Sequence, residues 1–430
     1  MSFDAPSVPP QRIAIIGGGI SGLAAAYLLA PQHSVTIYEA EPLMGGHART
    51  VLAGRNADQP VDTGFIVFNY ETYPHLTKMF AELDVPVQKS NMSFGASIDD
   101  GRIEYGLRSF RSLLAQPKNA ARPAFWRMVR DILRFNDRAE ATATSDDVTI
   151  DDLMRELELG EWFQRFYLTP ICGAIWSTPP EMIRSFPART LVQFFKNHAL
   201  LSHKAQHQWW TVKGGSVEYI KRLTVSLDAR GVKLLTDTPV KSIVRSATQS
   251  IVTAQGAAAR SYDQVIMACH SDDVLRLLDQ PTPCEVAALS KIRYQDNHMV
   301  LHCDEHQMPR RRDAWSSWVY KADLSDEGAS VGVTYWMNKL QNIDEQDPLF
   351  VTLNPKRPVR ADKIYDEKTF RHPVFDQAAI KAQEEVAALQ GENNTWFAGA
   401  YLRHGFHEDG FASAVFVAER LEQKLESIAV

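Results

Sequence analysis

Short apolar runs and glycines alternate along the first forty residues. Residues 12–16 (Arg-Ile-Ala-Ile-Ile) form a β-branched, continuously apolar run, the pattern of a parallel strand buried on both faces. Residues 23–29 (Leu-Ala-Ala-Ala-Tyr-Leu-Leu) are strong helix formers, and 34–38 (Ser-Val-Thr-Ile-Tyr) read as a second strand. Farther along, 71–210 reads mostly helical, with 125–138 and 150–157 the clearest periodic segments. Strand-like pieces recur at 299–302, 330–335 and 349–353. The longest uninterrupted apolar run is 23–30, far below the roughly 18 residues a spanning helix needs. An integral membrane protein is not expected.

Between the first strand and the first helix lies Gly17-Gly18-Gly19-Ile20-Ser21-Gly22, with the Gly-x-Gly-x-x-Gly spacing. A dinucleotide site needs a tight turn at Gly17, bare backbone at Gly19 and close helix–strand packing at Gly22. The helix N-terminus then faces the pyrophosphate, and Glu39, 22 residues after Gly17, accepts the ribose hydroxyls. The glycine pattern alone is weak. Its place between strand and helix, with an acid at the right distance, makes it specific for a dinucleotide while leaving NAD and FAD unseparated.

Composition sets the remaining bounds. A chain of 430 residues is two to three times the usual domain size, so two domains are expected. With 46 basic and 52 acidic residues the net charge is −6, too mildly acidic for a general nucleic-acid binder. Cys172, Cys269, Cys284 and Cys303 are scattered without a Cys-x-x-Cys pair, which fits a reducing compartment. Residues 13–30 imitate a signal peptide, but no Lys or Arg precedes Arg12 and glycines interrupt the stretch, so a cytoplasmic protein is expected. The sequons at Asn91 and Asn393 are then chance matches. Two histidine sets, His198/His203/His207 and His298/His302/His306, invite a metal reading. The second is strand-like, so its side chains spread over a long span, and no carboxylate motif accompanies either set; no metal is expected.

Resemblance extends the glycine turn. Residues 12–50 resemble the opening of the flavin-containing amine oxidase superfamily: Gly17, Gly19, Ile20, Ser21 and Gly22, then Glu39 and Ala40, then a second phosphate loop with Gly45, Gly46 and His47. In that superfamily arginine usually follows the paired glycines; here it is His47, with Arg49 as an alternative cation. The similarity continues through Thr63-Gly64-Phe65, Val212-Lys213-Gly214-Gly215-Ser216, the run ending at Cys269, Gly399, and Glu408-Asp409-Gly410-Phe411, so it spans residues 12–414. Val240 resembles the valine whose backbone meets the adenine. The resemblance implies FAD, an α/β fold with a discontinuous Rossmann-type FAD-binding domain (1–70, 210–285 and 390–430), and an α+β substrate domain (71–209 and 286–389). Within the superfamily, segments 61–70, 174–180, 186–190, 294–295, 308–312, 334–338 and 405–410 resemble a bacterial branch known as NAD/FAD-binding proteins. Its members are similar to the flavin-dependent desaturase of furan fatty acid biosynthesis, which follows methylation of an unsaturated phospholipid acyl chain.

That resemblance implies an FAD-dependent oxidoreductase giving a conjugated diene, with a phospholipid acyl chain as partner and an unknown electron acceptor. An amine oxidase, a polyene or porphyrinogen-type oxidase, and a non-catalytic FAD- and lipid-binding partner protein are the alternatives; Tyr335 and Trp336 offer an amine cage. Desaturation removes one hydrogen as hydride or its equivalent and one as a proton, so it needs a proton acceptor. His407 and Glu408 are the catalytic candidates, with a helix-capping role for Glu408 as the other reading. Trp162, Phe163, Phe166, Tyr167, Trp176, Phe194 and Phe195 are either core or the walls of an acyl-chain tunnel. Between Arg102 and Arg138 nine basic residues face three acids, interleaved with Phe110, Leu113, Leu114, Phe125, Trp126, Ile132 and Phe135. Such a surface fits peripheral contact with anionic lipid on the inner face of the membrane, or a solvated face over the core.

Overall fold

The computed structural model describes residues 9–145, 147–176, 184–197, 207–246, 248–322 and 332–429. A five-stranded parallel sheet runs in the order Thr395–Phe397, Gln264–Met267, Arg12–Ile16, Ser34–Tyr38, Lys233–Leu235. Alternation along the first strand explains its uniform apolarity. Ile13 and Ile15 pack into one core with the helices Ile20–Leu29, Val217–Ala229 and His407–Ala429. Ala14 and Ile16 face a second core, under the antiparallel ribbon Val240–Arg245, Ser250–Ala254 and Arg260–Tyr262. A strand with both faces covered has no place for a polar position.

A seven-stranded mixed sheet forms the other half, in the order Ile364–Pro373, Tyr294–His302, Phe350–Leu353, Gly332–Trp336, Trp318–Ala322, Phe94–Ile98, Ile103–Gly106. Neighbours are antiparallel except Trp318–Ala322 and Phe94–Ile98. The helices Pro123–Thr142, Ile150–Glu156 and Ala188–Asn197 cover its far end, where Tyr105, Phe125, Phe135, Phe163 and Phe195 make the core. The mostly helical expectation for 71–210 therefore needs correction: Phe94–Ile98 and Ile103–Gly106 are a hairpin of this sheet, and Val87–Lys89 is a strand paired with Trp210–Val212. The hairpin turn places Asp99, Asp100 and Gly101 at positive φ, and strands of five and four residues are too short to show a periodicity.

Candidate active site

The glycine turn is built as its spacing requires. Gly17 has φ +112° and its N–H donates to Tyr38 O at 2.8 Å, tying the turn to the second strand. A Cβ on Gly22 would lie 1.9 Å from Gly17 O, so only glycine lets the helix approach the strand end. Gly19, the N-cap of Ile20–Leu29, has no atom within 4 Å of where its Cβ would project. The positive end of that helix thus opens on free space. Glu39 Oε2 accepts from Gly18 N at 2.6 Å and Oε1 from Glu41 N at 2.8 Å, fixing the carboxylate beside the turn. The second glycine loop lies against the first: Gly45 N donates to Gly18 O at 2.8 Å, and a Cβ on Gly46 would come within 3.1 Å of Gly19 Cα.

These loops open on a cavity of about 1510 Å³. Gly17, Gly19, Ile20, Ser21, Glu39, Ala40, Gly46, His47, Thr63, Gly64, Phe65, Val240, Cys269, Gly399 and His407 all line it. Gly22, Gly45, Gly410, Phe411 and Glu408 do not. Helical spacing accounts for most of that division. On His407–Ala429 the first residue meets the cavity, while a Cβ on Gly410 would strike Ile20 Cγ2 at 2.8 Å and Ser21 Oγ at 2.9 Å. Gly410 is thus a helix-crossing residue, and Phe411 is buried against His75, their rings stacked at 5.9 Å.

The two catalytic candidates separate in the same way. Glu408 is turned away: its carboxylate accepts from His75 N at 2.9 Å and Leu76 N at 3.0 Å. It caps Pro74–Glu82, whose own N-cap, Tyr73, makes no side-chain bond. A carboxylate committed to two backbone N–H groups outside the cavity cannot take a proton from substrate, so Glu408 is corrected to a structural residue. The helix it caps is thus another one, not the helix His407–Ala429 to which it belongs. Burial raises its pKa from 4.5 to about 7. His407 does face the cavity; its ring stacks on Phe65 at 4.0 Å, and Nε2 lies 2.6 Å from Tyr219 Oη. Burial, with His47 nearby, lowers its pKa to about 3, so it is neutral at physiological pH.

The residues present fit a dinucleotide. The bare backbone at Gly19 and Gly46 forms the cradle, and Glu39 stands where the strand ends. His47 lines the cavity, and its buried Nε2 has no hydrogen-bond partner among the described residues. Burial lowers the His47 pKa to about 4, so a neutral imidazole stands where the family carries a cation. Arg49 does not replace that charge: it bonds Asp366 at 2.6 and 3.1 Å. Tyr401 Oη and Trp318 Nε1 are two further buried, unpartnered polar atoms on residues of the cavity wall.

Beyond Phe65 and Gly399 the cavity runs between the two sheets. Its walls there are Met92, Phe94, Tyr167, Ile171, Trp318 and Tyr335. Phe94, Trp318 and Tyr335 sit side by side on three neighbouring strands, the last two rings edge-on at 5.0 Å. Strand alternation sends Trp336 to the opposite face, where it packs on Trp315 and Phe350. Only half of the expected cage therefore faces the cavity. Of the aromatic stripe, Phe163, Phe166 and Phe195 are core, and Tyr167 alone among them meets the cavity. The side chains of Trp176 and Phe194 lie outside the described residues. Phe94 and Trp318 also line the cavity, and a single aromatic at the start of a short strand carries no local signal in the sequence.

His298 pairs with Glu367 at 3.2 Å, His302 with Thr352 at 2.7 Å and His306 with Asp304 at 2.9 Å, three separate arrangements along the sheet. His207 lies 3.8 Å from Glu71, while His198 and His203 fall outside the described residues. His270, Asp272 and Asp273 cluster closely, but both carboxylates already face Arg371.

Comparison with known proteins bears on this architecture. A family model described as flavin containing amine oxidoreductase matches residues 20–303. "Probable zeta-carotene desaturase" of Synechococcus elongatus is 24% identical over 296 residues, covering 63% of this chain and 60% of that protein, so the chain matches under two thirds of that relative's length. An L-amino-acid oxidase of Sistrurus catenatus edwardsii is 52% identical over 42 residues, 10% of this chain and 8% of its own. Among solved structures, the CLA-producing fatty acid isomerase from P. acnes superposes with TM-score 0.67 at 15% identity, covering 96% of this chain and 98% of that one. Cyclohexylamine oxidase from Brevibacterium oxydans gives 0.63 at 16%, covering 96% and 100%. At such identities the likeness is one of fold. No described helix is long and apolar enough to cross a membrane.

Proposed function

The chain belongs to the flavin-containing amine oxidoreductase family and is an FAD-dependent oxidoreductase, and from that premise we propose that it desaturates a methylated, unsaturated, phospholipid-bound fatty acyl chain to a conjugated diene in furan fatty acid biosynthesis. One observation carries the reading: among the described residues the arm of the cavity is walled by the uncharged side chains of Met92, Phe94, Tyr167, Ile171, Trp318 and Tyr335, with a charged group, Arg108, only where it reaches the surface. An apolar arm of this kind holds a hydrocarbon by area and shape, and its walls give an ammonium group no acid to pair with.

Where a methyl branch neighbours a double bond the allylic C–H is weakened, because developing charge spreads into the alkene. FAD supplies the two-electron acceptor for the hydride equivalent leaving that carbon. The chain's own part is to cradle the dinucleotide between the two glycine loops, to align the acyl chain along the aromatic wall, and to receive the proton. We assign the proton to His407, the catalytic candidate that meets the cavity. With a pKa held near 3 it is a weak base, which sets its contribution at the low end for general bases, about 10²-fold.

A second reading, amine oxidation, draws on the edge-on Trp318–Tyr335 pair, whose ring faces suit a cation. Among the described residues it lacks an acidic partner in the arm. The test is mass spectrometry of acyl chains from cells that make the methylated monoene, with and without this chain. We expect a species two hydrogens lighter only when the chain is present. Identical lipid profiles would refute the proposal.

A further inference from the structure

We propose that the face carrying Phe110, Trp126, Arg127 and Arg130, at the outer mouth of the cavity, is a docking surface for an anionic phospholipid bilayer. The inference rests on the reading of the cavity as an acyl-chain site and names where the chain enters. Its starting point is Leu107 and Arg108, which line the cavity and are both exposed, so the apolar arm reaches the surface there. Three residues on, Phe110 is 68% exposed, a large cost for a side chain with no partner to cover it.

Trp126, 39% exposed, stands beside it, the two rings 6.4 Å apart. This ring is held in place: Trp126 Nε1 donates to Ala120 O at 2.9 Å, leaving its apolar edge outward. On Pro123–Thr142, Arg130 and Leu133 follow Trp126 by one and two turns on the same exposed side, with Arg127 adjacent. Leu133 is 50% exposed. The other side of the helix, Phe125, Met128, Phe135 and Ala139, is buried in the core.

Cations outnumber acids around these rings. Arg108, Lys118, Arg127 and Arg130 have no ion pair among the described residues, whereas Arg111 pairs with Asp313 at 3.0 Å and Arg134 bonds the carbonyls of Leu157 and Glu158. Unneutralised cations interleaved with exposed aromatics, in a protein of net charge −6, complement an anionic lipid surface rather than a general polyanion. Aromatic rings enter the headgroup–acyl boundary while arginines meet phosphates. Docked so, the cavity mouth at Leu107 opens at the depth where acyl chains begin.

The experiment is co-sedimentation of the FAD-loaded protein with vesicles of phosphatidylcholine alone or mixed with phosphatidylglycerol. Wild type should sediment with the anionic vesicles at low salt and be released by about 0.5 M salt, where screening falls to a few ångströms. The Phe110→Ser/Trp126→Ser pair and the Arg127→Glu/Arg130→Glu pair should each cut the bound fraction by at least about tenfold, with flavin content and melting temperature unchanged. Wild type that ignores anionic vesicles at low salt overturns the proposal, as do variants that bind like wild type. Dimerisation lost on Phe110→Ser/Trp126→Ser, without vesicle binding, would reassign the face to a second copy of this chain. Anaerobic flavin reduction by detergent-dispersed acyl chains does not use this face. Its success alongside failed vesicle binding refutes the docking surface alone, and the reverse outcome refutes the acyl-chain reading alone.

Discussion

Glu408 and His407 are adjacent in sequence and do unrelated work. A helix turns neighbouring residues by about 100°, so one meets the cavity while the other reaches back to cap Pro74–Glu82. Expectations for three residues follow at this scale. Glu408→Gln should leave the rate of flavin reduction within about threefold of wild type. It should also change the pH dependence of stability. Because the folded carboxyl is raised to about 7, its contribution is complete below about pH 4.5 and is lost as pH rises through 7. Melting curves should therefore show wild type losing ground to Glu408→Gln across that window and a constant difference above it. His407→Ala should keep its yellow flavin yet slow reduction about 10²-fold in stopped-flow traces; an unchanged rate would move the proton to solvent. Glu39→Ala removes the acceptor beside the turn, and titration should show FAD affinity down ten- to hundredfold, about 1.5–3 kcal/mol.

At the scale of elements, local features were legible and facing relations were not. The strand, glycine turn and helix of 12–29 are set by neighbours in sequence, so Gly17, Gly19 and Glu39 could be read directly. The family block that ends at Gly410 and Phe411 implies cofactor contacts there, whereas helix packing turns both away from the cavity. The aromatics of 162–167 have helical spacing, and their helix turns most of them into the core with Phe135 and Phe195. The aromatic wall that does line the arm comes from three strands that bring Phe94, distant in sequence, beside Trp318 and Tyr335, and no local pattern unites them. The glycines give a paired test. Gly22→Ala forces a Cβ to 1.9 Å from a backbone oxygen and should cost more than about 3 kcal/mol or abolish soluble expression. Gly19→Ala meets no atom, so the flavin-free protein should melt within about 1 °C of wild type. Its methyl group stands in the cradle, and equilibrium dialysis should show weaker FAD binding.

At the scale of the molecule, the cavity joins the parallel sheet's glycine loops to the mixed sheet's aromatic wall. Trp318 and Tyr335 pack against both large cores, so the apolar arm is walled by residues the fold already holds rigid. Along its uncharged walls such an arm selects by shape and by the reactivity of one C–H. The most direct measurement is anaerobic flavin reduction, followed as loss of the yellow absorbance, with three substrates offered in turn. Phospholipid carrying the methylated monoene should bleach the flavin, while the saturated chain and a primary amine leave the oxidised spectrum intact. Rapid bleaching by the amine, with none by the methylated lipid, would contradict the account and make the Trp318–Tyr335 pair an amine cage.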